Sequence, residues 1–240
     1  MYKSILKTML ISKFKFLTIL KNPQLLCSSI LAIAFCAILK TYIPIEQLEA
    51  QPLFIITTGL IFSFAMGGVM LTALPLSSDK ENNILRVLMV STISPTNYLL
   101  GSLLPPFLIV FLTNLILGIF WLPKEIPFIY YLIITSIGTI ISLSIGLIVG
   151  FYSFNQMTAS SLCIPIIFIF SIIPILRTMS SDFEKYSKFL YTSQILNYLS
   201  NLYDKKINPL TTEIVSILSA TFTLSLLICI YGYKKNKFDS

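Results

Sequence analysis

Hydrophobic residues in this chain come in long blocks, and polar residues collect between them. A helix needs about 20 mostly apolar residues to cross a bilayer. Six blocks qualify, at residues 23–42, 52–76, 97–122, 127–154, 158–176 and 212–233. The first is short and ends at Lys40, and the second is uncharged with Gly67-Gly68 inside it. The pattern predicts an all-α polytopic membrane protein with six transmembrane helices in one domain over residues 1–240.

Two segments outside these blocks carry helical periodicity as well. Residues 1–21 are basic and loosely amphipathic. Ile5, Met9, Phe16 and Leu20 share a face, Lys3, Lys7 and Lys21 lie opposite, and Lys13 intrudes near the apolar side. This predicts an N-terminal amphipathic helix on the cytoplasmic leaflet, with a solvated basic tail as the alternative. In residues 177–211, Phe183, Tyr186, Phe189, Ile195, Tyr198 and Leu202 recur at roughly helical spacing. Two short extracellular helices lying in the outer interface, or dipping into it, explain this, or else a small cap with its own packing.

Residues 78–95 form a short polar island between two apolar blocks. Ser78-x-x-Glu81 is a capping-box pattern, in which a hydroxyl and a carboxylate satisfy free N–H groups at a helix start. Ile84, Leu85 and Leu88 then fall on one helical face, with Glu81, Asn82 and Arg86 off it. Pro95 closes the segment, since proline disfavours helical geometry in the residue before it. The expectation is a capped helix exposed to a cytoplasmic partner, and the alternative is a plain connecting loop.

Composition supports the membrane reading. Of the 240 residues 55% are hydrophobic and 11% charged, whereas soluble domains carry about 25% charged residues. The net charge of +7 does not indicate nucleic acid, because lysines in membrane proteins mark the cytoplasmic side. With the N-terminus inside, ten Lys and Arg fall in cytoplasmic segments and seven outside. Five of those seven lie in the long loop after the fifth span, where charge counts least. Both termini are therefore expected in the cytoplasm.

Prolines and small residues add detail. Pro105 and Pro106 in the third span, and Pro165 and Pro174 in the fifth, remove helix donors and predict kinks or breaks. Such backbone either lines a pathway or is a static kink. Gly138, Ser142, Gly146 and Gly150, spaced by four, form a ridge for close helix packing. Trp121 reads as an interfacial anchor at the outer end of the third span.

Much chemistry is excluded. The chain has no histidine, and its four cysteines (Cys27, Cys36, Cys163, Cys229) sit in apolar runs without a CxxC. They read as buried small hydrophobes, neither a disulfide framework nor a metal site. There is no P-loop pattern, no GxSxG and no HExxH. All ten acidic residues fall in loops or at span ends, which disfavours proton-coupled transport. No catalytic, cofactor-binding or metal-binding residue is expected.

Over nearly its whole length the chain resembles the transmembrane subunit of ABC-2 type (type V exporter fold) ABC transporters, in their bacterial peptide and drug exporter branch. The resemblance is most specific in the loop after the second span. Glu81-Asn-Asn-Ile-Leu-Arg-Val-Leu88, Ser91-Thr-Ile-Ser-Pro95 and Tyr98-Leu-Leu-Gly-Ser102 follow the family pattern. Asn83 stands where the family usually has glycine, Arg86 where it has glutamate, and Ser102 where it has lysine.

The resemblance implies that Ser78, Asp79, Lys80, Glu81, Asn82, Asn83, Ile84, Leu85, Arg86 and Leu88 belong to a coupling helix. That helix would dock on a separate ABC ATPase subunit, which holds the ATP and Mg. It further implies pairing with a second permease copy or a relative, in a bacterial plasma membrane among its lipids, and no nucleic acid. With apolar walls and no added soluble domain, the expected cargo is an amphipathic or hydrophobic peptide. A hydrophobic drug or a lipid is the alternative. A membrane scaffold or channel-like protein without an ATPase is the reading from another class.

Overall fold

The computed structural model describes residues 2–44, 52–84, 94–177 and 181–235. Among them nine helical runs follow one another: α1 (Tyr2–Lys21), α2 (Pro23–Tyr42), α3 (Phe54–Glu81), α4 (Pro95–Trp121), α5 (Phe128–Tyr152), α6 (Gln156–Leu176), α7 (Ser181–Ser187), α8 (Tyr191–Tyr203) and α9 (Thr212–Lys235). Six of these, α2 to α6 and α9, are long and apolar enough to cross a membrane.

Local chemistry sets several starts. The Asn22 side chain accepts the Gln24 N–H, and Pro23 takes the first helical position, where a missing N–H costs nothing. Ser94 and Pro95 do the same for α4, with Ser94 accepting from the Asn97 N–H. Asn155 and Thr158 form a reciprocal capping box at α6.

α3 is the most buried span and α9 the least. The small-residue ridge of α5 explains why α3 and α5 lie so close. Gly68 of α3 packs on Ser142. A methyl on Gly146 would stand 2.6 Å from the Val69 carbonyl oxygen, and one on Gly150 would stand 2.7 Å from Leu76. Neither helix could approach so closely with larger residues there.

Midway along α3 the helix widens into a π turn over Ser63–Gly68. Its first residue, Ser63, donates to the Asn114 side-chain oxygen of α4 at 2.7 Å, and Asn114 donates on to Thr139 of α5 at 3.2 Å. All three are buried. π turns commonly appear as single insertions at functional positions in helices.

The structure revises several expectations. The four span prolines break nothing, since α4 and α6 run through them as continuous helices. A helix in a packed bundle tolerates the lost donor when its surroundings re-satisfy the freed carbonyl. Pro95 opens α4, and Ser94 before it is extended; the segment that Pro95 is expected to close lies, from 85 to 93, outside the described residues. Cys27 is exposed, unlike the other three cysteines, and all four are free.

Of the arrangements expected for the segment after α6, the surface-lying one does not hold for α8. α8 is buried for most of its length and inserts its first residue, Tyr191, among three spans. The Tyr191 hydroxyl meets Ser142 of α5 at 2.9 Å, and its ring packs on Phe64 of α3 and Phe170 of α6. Ile195, one turn on, fills the space over Gly138.

Candidate functional site

The expected capping box at Ser78 does not begin a helix. α3 continues through Ser78, Asp79, Lys80 and Glu81 and ends with Asn82 as its C-cap. Polar residues following an apolar run serve the end of a helix as readily as the start of the next one. Here the three charges found tertiary partners, so the helix runs on to carry them.

Each of the three reaches a different neighbour. Asp79 is buried, and one of its carboxylate oxygens receives both the Lys15 ammonium of α1 and the Tyr98 hydroxyl of α4. Lys80 donates to the carbonyls of Phe151 and Ser153, both at 2.6 Å, at the end of α5. Glu81 accepts the Gln156 N–H at 3.1 Å, at the start of α6. These pairings follow the helix dipoles: a cation caps a C-terminus and an anion caps an N-terminus. One helical turn of α3 thereby joins α1 to the ends of α4, α5 and α6.

Lys15 reaches Asp79 because α1 turns that side inward. Thr8, Ile11, Ser12, Lys15 and Ile19 recur at helical spacing, and this is the side that packs on the bundle, with Lys15 and Ile19 buried. Gly101 lets α1 settle on α4, since a methyl there would lie 2.9 Å from Ile11 and from the Thr8 carbonyl. Met9, Leu10, Phe14 and Leu17 stay exposed on the other side. Lys15 also stands 5.9 Å from the centre of the Tyr98 ring, within cation–π range.

Beyond Glu81 the backbone turns sharply. The Asn82 side chain donates to the Ser78 carbonyl at 2.8 Å, and the Asn83 N–H bonds the Lys80 carbonyl at 3.1 Å. Asn83 has φ of 56°, in the left-handed region. Glycine adopts this conformation most readily, and asparagine is among the few side chains that visit it routinely. The departure from a glycine at this position therefore keeps the turn.

Ile84 is half-buried, whereas Leu85, Arg86 and Leu88 lie outside the described residues. The four prolines do not converge on one place. Pro105 and Pro106 are buried in α4, Pro165 is exposed on α6, and Pro174 lines a cavity at the far end of the bundle. Lys15, Tyr98 and the Ser63–Asn114–Thr139 chain escaped the sequence reading. Lys15 shares its helical phase with Ile11 and Ile19, which marks it only once the inward side of α1 is known.

The arrangement is mechanical in kind. It pairs no nucleophile with a base, and among the described residues no cluster of acidic and cysteine side chains could hold a metal. What it offers is a rigid junction whose buried charges resist separation. A comparison with curated proteins finds no match. The sequence profile described as "ABC-2 family transporter protein" matches residues 39–232, most of the chain, with α3 to α6 entire and nearly all of α9, so the protein belongs to the ABC-2 family of transporter proteins.

Proposed function

We propose that this chain is the permease subunit of an ATP-driven exporter, working with a separate ABC ATPase that docks on the segment following α3. The observation that carries this is the Asp79-Lys80-Glu81 turn, bonded to four other helices at the root of that segment. A push on the segment is delivered to α1, α4, α5 and α6 together. A plain connecting loop has no need of such a root.

The remaining features of this reading rest on sequence. The lysine distribution supports cytoplasmic termini in a bacterial plasma membrane. A single six-span unit without an internal repeat supports pairing with a second copy or a relative. The uncharged, aromatic-rich spans support an amphipathic or hydrophobic peptide as cargo, with hydrophobic drugs and lipids as competitors.

The test is co-purification of the intact chain with a co-expressed ABC ATPase, before and after Glu81→Ala and Leu85→Ala. The expected result is a complex with the native chain and loss of it in the double variant. If no ABC ATPase associates with the native chain, the exporter reading fails and a scaffold or channel role takes its place. Peptide-stimulated ATP hydrolysis by the reconstituted complex, set against drug and lipid panels, decides the cargo.

A further inference from the structure

At the end of α3 opposite Asp79, a cavity of about 290 Å³ opens between the start of α3, the end of α6 and the second half of α8. Leu53 just before α3, Ile61 of α3, Pro174 of α6 and Leu196 of α8 give it apolar walls, and Arg177 and Asp204 bring two opposite charges to it. That volume stands at the small end of ligand sites, which run from about 300 to 1,000 Å³, and has room for the end of an extended chain.

The two charges are held differently. Arg177 follows α6 directly, and its Nη1 donates to the Asn197 side-chain oxygen at 2.6 Å and to the Ser193 carbonyl at 3.5 Å. These bonds lay the guanidinium along one side of α8. Burial pulls its pKa down, against the pull of Glu184 in the other direction, yet arginine remains charged. Asp204, just beyond the end of α8, is half exposed and 4.0 Å from the Lys206 ammonium. Lys206 makes its shorter bond to Asn201, at 2.8 Å. An exposed pair this long is weak, so Asp204 can exchange it for another cation.

Spacing selects the ligand. Asn197, which fixes the guanidinium, and Asp204 are seven residues apart, close to two helical turns and about 10 Å along the axis. A phospholipid headgroup separates phosphate from amine by only two methylenes and reaches one charge or the other. An extended peptide advances about 3.3–3.6 Å per residue, so about three residues join them.

We propose that this cavity captures the carboxyl-terminal end of an amphipathic peptide. The free carboxylate sits on Arg177, a lysine ammonium about three residues earlier sits on Asp204, and the apolar side chains between them lie against Leu53, Ile61, Pro174 and Leu196. The carboxylate is given to Arg177 because the guanidinium fork recognises it in two-point geometry and is the more enclosed of the two charges. The site deepens the peptide-export reading and rests on it. Under cytoplasmic termini it faces outside, where a peptide leaving the membrane would meet it.

The test uses the full chain in phosphatidylglycerol nanodiscs without an ATPase. The probe is an amphipathic peptide labelled with fluorescein at its N-terminus and ending Lys-Leu-Phe-Leu, as free acid and as C-terminal amide. The amide is expected to bind at least tenfold more weakly. Arg177→Gln should bring the acid down to the level of the amide and leave the amide unchanged, and Arg177→Lys should restore part of the difference. Asp204→Asn should weaken both forms alike.

Equal binding of acid and amide to the native chain overturns the proposal, whatever the variants do to folding. So does discrimination that survives Arg177→Gln, or displacement of the peptide by lysophosphatidylcholine at equal concentration. ATP-driven transport by the complete complex is read separately. Transport of the peptide without acid–amide discrimination in binding overturns this site and leaves the export reading standing. Discriminating binding with no transport of any amphipathic peptide overturns the export reading and leaves the site.

Discussion

The Tyr98 hydroxyl donates to the Asp79 carboxylate, tying the first turn of α4 to the last turn of α3. The segment between these helices is thus clasped at its base, and Lys15 closes the clasp from α1. Two buried charges survive here only because each has the other. Replacing Asp79 with alanine leaves the Lys15 ammonium buried and unpaired. The expected cost is about 3–5 kcal/mol, whereas the double variant Lys15→Met with Asp79→Leu should recover most of it. Denaturant unfolding in detergent micelles, followed by circular dichroism, checks both.

Gly101 holds the seat of α1. A methyl there meets the Thr8 carbonyl oxygen and Ile11 at 2.9 Å, and a backbone atom cannot rotate aside. Gly101→Ala is expected to cost about 1–3 kcal/mol through overpacking, and Gly101→Leu to lift α1 from α4. Trypsin cleavage at Lys15, which is buried in the native protein, should accelerate in proportion. Gly232→Ala serves as the control, because its nearest neighbours would lie 3.4 Å away.

The spans were legible because hydrocarbon allows little latitude: a long uncharged run has few other stable places to go. The α5 ridge was legible for a related reason, since small residues every four positions on a membrane helix have close packing as their main use. Lys15 was not legible. Its partner lies 64 residues away, and nothing in residues 1–21 distinguishes it from Lys13 without knowing which side α1 turns inward. The choice between lying at the interface and dipping inward stayed open for α8 because the run Tyr191, Thr192, Ser193 and Gln194 is mostly polar, although all four are buried. Tyr191 makes that depth tolerable by finding Ser142, and Gln194 by donating to the Lys188 carbonyl at 2.5 Å. The π turn has no sequence signature beyond Gly67-Gly68, which fits an ordinary close contact equally well.

Asn83 tests the turn that directs the chain away from α3. Its φ of 56° is costly for β-branched side chains and least costly for glycine. Asn83→Gly should change stability by less than about 1 kcal/mol, and Asn83→Val should lose about 1–2 kcal/mol. If the turn aims the following segment at an ATPase, the valine variant also loses ATPase affinity, and pull-down with the native chain as reference measures it.

Lys80 separates coupling from folding. Its ammonium satisfies the carbonyls of Phe151 and Ser153, and the methionine of Lys80→Met has similar length but no donor. Phe151 and Ser153 are buried, and a buried carbonyl left without its donor costs about 1–3 kcal/mol, a loss the fold should survive. Asp79 and Glu81 still hold α1, α4 and α6 in this variant, and only α5 is released from the junction. The α5 ridge meets α3 from Gly68 to Leu76, so releasing one end lets α5 slide against α3 without leaving the bundle. The expected phenotype is a complex that assembles and hydrolyses ATP at a near-native rate while transport falls about tenfold. Parallel measurement of ATP hydrolysis and substrate accumulation in inverted vesicles distinguishes this from misfolding, in which both would fall together. If transport is retained, the Lys80 contact is a static cap and the transmitting bonds are those of Asp79 and Glu81.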